Sequence, residues 1–313
     1  MKLVLAPMEG LTDPLMRDLL TSVGHYDWCV TEFIRVTDSL LPEHVFYQFC
    51  PELHHGGKTK SGTPVHVQFL GNDANRLAQN AARVAELGAP AIDLNFGCPA
   101  KTVNRHRGGA VLLDEPEVIH ALVKAVRDAV PAHIPVSAKM RLGYLDENHT
   151  LENAHAIESA GARWLTVHAR TKSDGYKPPA YWEKLPAIQQ AINIPVIANG
   201  EIWTLEQAKR CLEISGCQDL MLGRGAVTRP DLVNRVRHNN DSQQLSWPEL
   251  VQLQLDFLDG ATKTEQGLVG RYKQWLGMLT QGYPEAALLW NGIKKIREMD
   301  SLRTALEQQL TEK

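Results

Sequence analysis

Asp93-Leu-Asn-Phe-Gly-Cys-Pro-Ala-Lys101 ends an apolar run with a cysteine between a glycine and a proline, and a basic loop, Lys101-Thr-Val-Asn-Arg-His-Arg107, is expected to follow at once. Gly97 allows a sharp turn and close backbone approach to a ligand, and Pro99 locks the exit dihedral. The spacing predicts a thiol fixed at the mouth of a strand, with Lys101, Arg105 and Arg107 near enough in sequence to attract an anionic substrate. A thiol in such an electropositive, partly open setting suits acid or nucleophile chemistry. A lone cysteine more often packs as a small hydrophobe; here the neighbours favour the chemical role.

Positioning Cys98 requires a strand before it, and eight short β-type runs can be read, at residues 3–6, 28–33, 65–70, 91–95, 136–142, 164–169, 196–199 and 219–223. The even runs follow helix-ending glycines, Gly24, Gly88, Gly161 and Gly216, expected as left-handed C-caps. The third, fifth and seventh open on Pro64-Val65, Pro135-Val136 and Pro195-Val196, proline being tolerated at a strand's first residue. The helices between them carry start signals: Thr204 with Gln207 as a capping box, and Asp114 ahead of Pro116 in a first turn. Leu77, Ala81 and Val84 keep one apolar face before Gly88. Eight β/α units in about 240 residues predict an α/β fold, a (β/α)8 TIM barrel over residues 1–240, with a doubly wound sheet as the weaker alternative.

A barrel gathers its chemistry at the C-terminal ends of the strands. These ends carry Pro7-Met8-Glu9, Glu32 to Arg35, Gln68, Asn95 to Cys98, Lys139 to Arg141, His168 to Arg170, Asn199-Gly200-Glu201 and Gly223-Arg224-Gly225. The glycines after the seventh and eighth runs can present backbone N–H groups to a phosphate, with Arg224 adding charge. Alone, Gly-Arg-Gly is an ordinary turn. Lys139 is costly to bury unpaired, so an anion is expected beside it, and a reduced flavin would serve. His168 is open between a satisfied structural histidine and a cofactor contact.

Composition narrows the class. At 313 residues, 43% apolar and 22% charged, the chain is an ordinary globular protein. Five cysteines without a CxxC pair fit free thiols in a reducing cytosol, and no metal site is expected. The N-terminal apolar run is too short for a signal peptide, and no segment approaches the ~20 apolar residues of a membrane span, so a cytoplasmic location and no membrane partner are expected. A net charge of −3 leaves any nucleic-acid binding to a local patch.

Polar residues 239–244 read as a linker to a small all-helical domain over residues 245–313. Ser246 and Glu249 form a capping box, Leu250, Leu253, Phe257 and Leu258 share a face, and further helices are expected near 267–279, 284–297 and 302–310. Leu268, Trp275, Leu276, Leu288, Leu289 and Ile293 are expected to pack it. Between residues 266 and 297, Arg271, Lys273, Lys294, Lys295 and Arg297 face only one acid, Glu285. That is either a phosphate-contacting patch or a solvated helix face.

Taken together, Ala6-Pro-Met8, Asp93 to Pro99, Lys139-Met-Arg-Leu-Gly143, Val167-His-Ala-Arg-Thr171, Ala198-Asn-Gly-Glu201 and Gly223-Arg-Gly225 resemble the tRNA-dihydrouridine synthase family over essentially the whole chain. Met8-Glu-Gly10, Thr31-Glu-Phe-Ile-Arg-Val36, Gly200-Glu-Ile-Trp203 and Tyr272-Lys-Gln-Trp-Leu276 bring it nearest to the bacterial C-type synthases. The resemblance implies a flavin oxidoreductase, FMN-dependent and NADPH-driven, that reduces uridine C5=C6 to 5,6-dihydrouridine in the tRNA D-loop, at uridine 16 in members of this type. It implies hydride from reduced FMN at C6 and a proton from Cys98 at C5. By matching motif positions, Pro7, Met8, Glu9, Gln68, Lys139, His168, Asn199, Gly200, Glu201, Gly223 and Arg224 line the FMN site, and Asn95 and Arg141 face a flipped uracil. Arg35, Tyr176, Arg271, Lys273 and Lys294 fall where C-type members orient tRNA, and the stretch from Lys101 supplies further phosphate contacts. tRNA is the expected partner of an enzyme that is otherwise monomeric, with no obligate protein partner.

Two rivals remain at this stage. An FMN barrel acting on a small pyrimidine, such as a dihydroorotate or dihydropyrimidine dehydrogenase, explains the phosphate site, Lys139 and the cysteine but leaves the basic tail without a purpose. An RNA-binding protein whose barrel has lost its chemistry leaves Cys98 and Lys139 without one.

Overall fold

The computed structural model describes residues 1–242, 244–260 and 264–311. Gln243 of the expected linker and residues 261–263 and 312–313 of the expected tail domain lie outside the described residues. The strands are β1 (Leu3–Leu5), β2 (Trp28–Val30), β3 (Ile34–Arg35), β4 (Val65–Leu70), β5 (Ile92–Phe96), β6 (Val136–Gly143), β7 (Leu165–Thr171), β8 (Val196–Asn199) and β9 (Asp219–Leu222), all paired in parallel. β1 pairs with both β2 and β9, and β2 with β4, which closes the ring. The expected run 28–33 is interrupted: β2 and β3 lie end to end along β4, and the break frees Glu32 to accept the Gly10 N–H at 2.5 Å. The fold is therefore an eight-stranded parallel barrel, not a doubly wound sheet.

Around it run α1 (Pro14–Val23), α2 (Glu43–Phe49), α3 (Ala74–Glu86), α4 (Lys101–Arg105), α5 (Pro116–Ala129), α6 (Thr150–Ser159), α7 (Leu185–Ala191), α8 (Leu205–Ser215), α9 (Arg224–Thr228) and α10 (Leu232–His238). The tail follows as α11 (Trp247–Leu258), α12 (Glu265–Leu279), α13 (Pro284–Ile293) and α14 (Met299–Thr311). β4, β6 and β8 each begin at the valine of a Pro-Val pair. Gly88, Gly161 and Gly216 adopt positive φ, as helix-ending glycines should. Gly24 does not: its backbone is extended, and a Cβ there would lie 2.4 Å from Val233, so close packing against α10 demands that glycine.

Other local signals were redistributed. The stretch after Cys98 is the short helix α4, not a loop. α5 is capped at Glu115 with Pro116 first, and Asp114 belongs to the preceding 3-10 turn. Thr204 accepts the Gln207 N–H, but the Gln207 side chain reaches Trp203 N instead of completing the box, whereas Ser246 and Glu249 complete theirs.

Strand alternation partitions the barrel. Leu3, Leu5, Val65, Val67, Phe69, Ile92, Leu94, Val136, Ala138, Leu165 and Val167 join the large core beneath the helices. The alternate positions enclose a small apolar cluster of Val4, Ala6, Val30, Ile197 and Met221. On β4 to β7 those alternate positions are polar: His66, Gln68, Asp93, Asn95, Ser137, Lys139, Arg141, Thr166, His168 and Arg170. Half of the barrel lumen is thus built for chemistry. Below the site, His66 stacks on Trp28 at 5.2 Å and leans on Trp164 at 5.6 Å.

The tail packs against α1 and α9, the helices that follow β1 and β9. Trp275 is fully buried and donates to the Val227 carbonyl at 3.1 Å. Leu268, Leu276, Leu289 and Ile293 are buried as expected, but Leu288 is 74% exposed, because the buried stripe of α13 runs through Ala286, Leu289 and Ile293. The helix expected over 284–297 stops at Ile293; Lys273 Nζ binds the Lys294 carbonyl at 3.0 Å and the Ile296 carbonyl, satisfying the freed acceptors.

Candidate active site

A cavity of about 510 Å³ opens at the C-terminal ends of the strands and receives residues from every strand of the ring. Pro7, Met8, Glu9, Gln68, Asn95, Cys98, Lys139, Arg141, His168, Tyr176, Asn199, Gly200, Glu201, Gly223 and Arg224 all line it.

Cys98 is held by its backbone. Its N–H and that of Gly97 donate to Asn95 Oδ1, both at 2.9 Å, and its carbonyl accepts from Asn104 Nδ2 at 2.9 Å and from Ala110 N at 3.1 Å. Gly109 sits at φ 68°, where a Cβ would come within 2.8 Å of that carbonyl. The residue is 8% exposed, more enclosed than its sequence setting suggests. Burial pushes its thiol pKa up and nearby Glu9 adds to this, while the Ala100 amide, Arg141 and Arg35 oppose it. The group is therefore a thiol at neutral pH, suited to giving a proton rather than to acting as a nucleophile.

Across the mouth, Lys139 stands beside Asn95 in the β5–β6 register. Among the described residues its ammonium has no hydrogen-bond or ion-pair partner. Burial and the Arg141 charge lower its pKa to about 8, against the attraction of Asp93 and Cys98. An anion in the cavity would relieve this, which a phosphate-bearing cofactor with a reducible, anion-forming ring provides. Gly200, at φ 118°, and Gly223 add no side chain of their own to the rim near β8 and β9, and Arg224 lies beside them. The residues present fit such a group.

Arg170, read from the sequence as a strand-end residue of the Val167–Thr171 motif but given no role there, organises the opposite wall. Fully buried, it donates from Nε to the carbonyls of Lys177 at 2.7 Å and Pro179 at 3.0 Å, pairs with Glu201 through Nη2, and meets His168 Nε2 at 3.2 Å through Nη1. Since guanidinium only donates, His168 Nε2 must accept. Burial, then the charges of Arg141, Lys139, Arg170 and Arg224, hold His168 well below its ordinary pKa, so it is a neutral contact in the wall and not an acid. Glu201 also accepts from Trp203 Nε1 at 2.9 Å. Arg224 is sandwiched between Trp203, 4.8 Å away, and Tyr176, 5.2 Å away.

Arg141 lines the cavity but spends its guanidinium as a brace: Nε binds the Gly97 carbonyl at 2.8 Å, and Nη1 binds the carbonyls of Thr171 and Gly175, both at 2.9 Å. It also lies 5.2 Å over the Tyr176 ring. Glu32, Phe33, Trp203 and Gln274, which stand in the strand ends and motifs read from the sequence but were given no role there, also join the lining; Gln274 comes from the tail. Arg35, Lys101, Arg271, Lys273 and Lys294 do not line the cavity. Lys101 is exposed on α4, and Arg35 faces a neighbouring groove with Asn72 and His106. Lys294 is exposed and touches Asn291, whereas Arg271 and Lys273 are occupied by protein acceptors. Among the described residues no cluster of three or more His, Cys, Asp or Glu could hold a metal ion, and no helix is long and apolar enough to cross a membrane.

The family model described as dihydrouridine synthase (Dus) matches residues 4–312. A tRNA-dihydrouridine(16) synthase of Aquipseudomonas alcaligenes is 53% identical over 308 residues, 97% of each chain. One of Shewanella oneidensis is 49% identical over 316 residues, 98% of each. Among solved structures, a variant of NCR from Zymomonas mobilis superposes with a TM-score of 0.54 over 85% of this chain and 92% of that one, at 14% identity. 2-Naphthoyl-CoA reductase gives 0.59 over 76% of this chain and 50% of that one, at 10% identity, a likeness of fold alone.

Proposed function

Since the chain belongs to the dihydrouridine synthase family, we propose that it reduces uridine 16 of tRNA to 5,6-dihydrouridine, with FMN as cofactor and NADPH as reductant. The observation that carries this reading is the pairing, in one cavity, of a protonated, backbone-anchored thiol at Cys98 with the unpartnered ammonium of Lys139. The position is the one for which relatives about half identical over nearly the whole chain are named.

FMN, when bound, supplies the hydride equivalent that adds to C6 of the uracil. Gly200, Gly223 and Arg224 would hold its phosphate, and Lys139 would stabilise negative charge on its reduced ring. Uracil C5=C6 is conjugated to the C4 carbonyl, so addition at C6 leaves carbanion character at C5. Cys98 gives C5 its proton and is left as a thiolate that takes one back from solvent, a general-acid contribution of about 10²–10⁴ in rate. The site lies inside the barrel mouth, so the nucleotide must leave its stack to reach it. The helical tail would orient the tRNA, its exposed Lys294, Lys295 and Arg297 being available to phosphates.

The test is anaerobic: reduce the purified flavoprotein with NADPH, add tRNA lacking dihydrouridine, and follow flavin reoxidation. Fast reoxidation by tRNA, lost in Cys98→Ala, supports the reading. Reoxidation by free uracil or orotate but not by tRNA would replace it with the small-pyrimidine rival.

A further inference from the structure

A chain of side-chain hydrogen bonds runs from the barrel lumen to the Cys98 backbone, and its polarity is forced from the cysteine end. The Gly97 and Cys98 N–H groups can only donate, so Asn95 presents its oxygen to them, both at 2.9 Å. Its nitrogen must then face Gln68, where it donates to Oε1 at 2.8 Å. Gln68 in turn directs Nε2 at Asp93 Oδ2, 2.6 Å away. The chain ends there because a carboxylate accepts on both oxygens, the other taking Ser137 Oγ at 2.6 Å. Gln68 and Asp93 are buried, so no water can substitute for a missing acceptor without rearrangement.

We infer that Asp93 is a positioning residue: by accepting from Gln68 it fixes the amide orientation of Asn95, and Asn95 holds the Cys98 loop in place at the cavity. Asp93 does not line the cavity, and its effect passes through two intermediaries. The inference rests on the reading of Cys98 as the proton donor only for its bearing on catalysis; the hydrogen-bond relay itself can be read out on the thiol.

The experiment measures alkylation of Cys98 by iodoacetamide in the full-length flavoprotein from pH 7 to 10, with mass spectrometry to separate it from the other four cysteines. A rate raised at every pH reports a loosened loop, and a moved inflection reports changed acidity. Asp93→Leu removes the acceptor and should raise the rate about tenfold at every pH, the equivalent of one lost hydrogen bond. Asp93→Asn should stay at the wild-type rate: its oxygen can face Gln68, its nitrogen Ser137, and the Ser137 hydroxyl can turn to the Ile92 carbonyl, 3.5 Å away. Gln68→Met should match Asp93→Leu, and the double variant should add nothing further. Equal rates for Asp93→Leu and Asp93→Asn, or effects of Asp93→Leu and Gln68→Met that multiply, would overturn the relay. If instead the relay variants behave as stated but tRNA fails to reoxidise the flavin, it is the functional reading that falls.

Discussion

Arg271 of α12 donates from Nε to Asp13 Oδ2 at 2.8 Å, and its two amino groups reach the carbonyls of Gly10, at 2.7 Å, and Leu11, at 2.9 Å. Asp13 is the N-cap of α1, its other oxygen accepting from Met16 N at 2.9 Å. One guanidinium thus clasps the helical tail to the turn that follows Pro7, Met8 and Glu9. Arg271→Met should cost about 1.5–3 kcal/mol, the range for hydrogen bonds to charged groups. It should also weaken FMN binding, measured by flavin fluorescence, because the turn borders the cavity. An Arg271 that served tRNA alone would leave both the urea midpoint and flavin affinity untouched.

Lys139 should make flavin binding pH-dependent. Its pKa in the folded protein is about 8, below the ordinary 10.5, so the unfolded chain binds more protons between those values. Stability of the flavin-free protein should therefore rise with pH through that window, and Lys139→Met should remove the slope. An anion bound beside Lys139 favours its charged form, so FMN affinity should fall as pH rises above about 8. A flat FMN affinity from pH 7 to 10 would show that Lys139 does not face the cofactor's charge.

Arg170 is replaceable by neither lysine nor an apolar residue. Its contacts to Lys177, Pro179, His168 and Glu201 use three nitrogens of a rigid fork that a single ammonium cannot reproduce. Arg170→Met, which leaves Glu201 only Trp203 Nε1 and the more distant Arg224, should destabilise by about 3 kcal/mol. Arg170→Lys should fold yet release the 172–180 segment, detected as faster tryptic cleavage after Lys172, since Lys177 precedes Pro178 and is not a tryptic site. Wild-type cleavage kinetics in Arg170→Lys would refute the anchoring role.

The two adjacent leucines of α13 should behave oppositely. Leu289→Ala should cost about 2–5 kcal/mol, as for other buried leucines. Leu288→Ala should fall within about 0.5 kcal/mol of the parent, since its side chain meets solvent. Comparable losses at both sites, measured by denaturant unfolding, would contradict the packing of α13 described above.

What sequence alone determined follows from short-range rules. Strand alternation, Pro-Val starts and helix-ending glycines act within a few residues, so the barrel and the strand ends were legible, and with them the cavity lining by all eleven residues expected around a cofactor. Cys98 was legible for the same reason, because Gly97 and Pro99 shape its loop locally. Tertiary structure decided where the long polar side chains ended up. Arg271 and Lys273 read as basic surface, but each finds carbonyls brought to it by a distant segment, across 261 residues in the contact of Arg271 with Gly10. Arg170, Gln68 and Asp93 are ordinary polar residues in one dimension; they become a hub and a relay only when β4, β5, β7 and the 172–180 segment close around a lumen that excludes water. A backbone preference is local, whereas a hydrogen bond from a flexible charged arm goes to whichever acceptor the closed barrel leaves within reach.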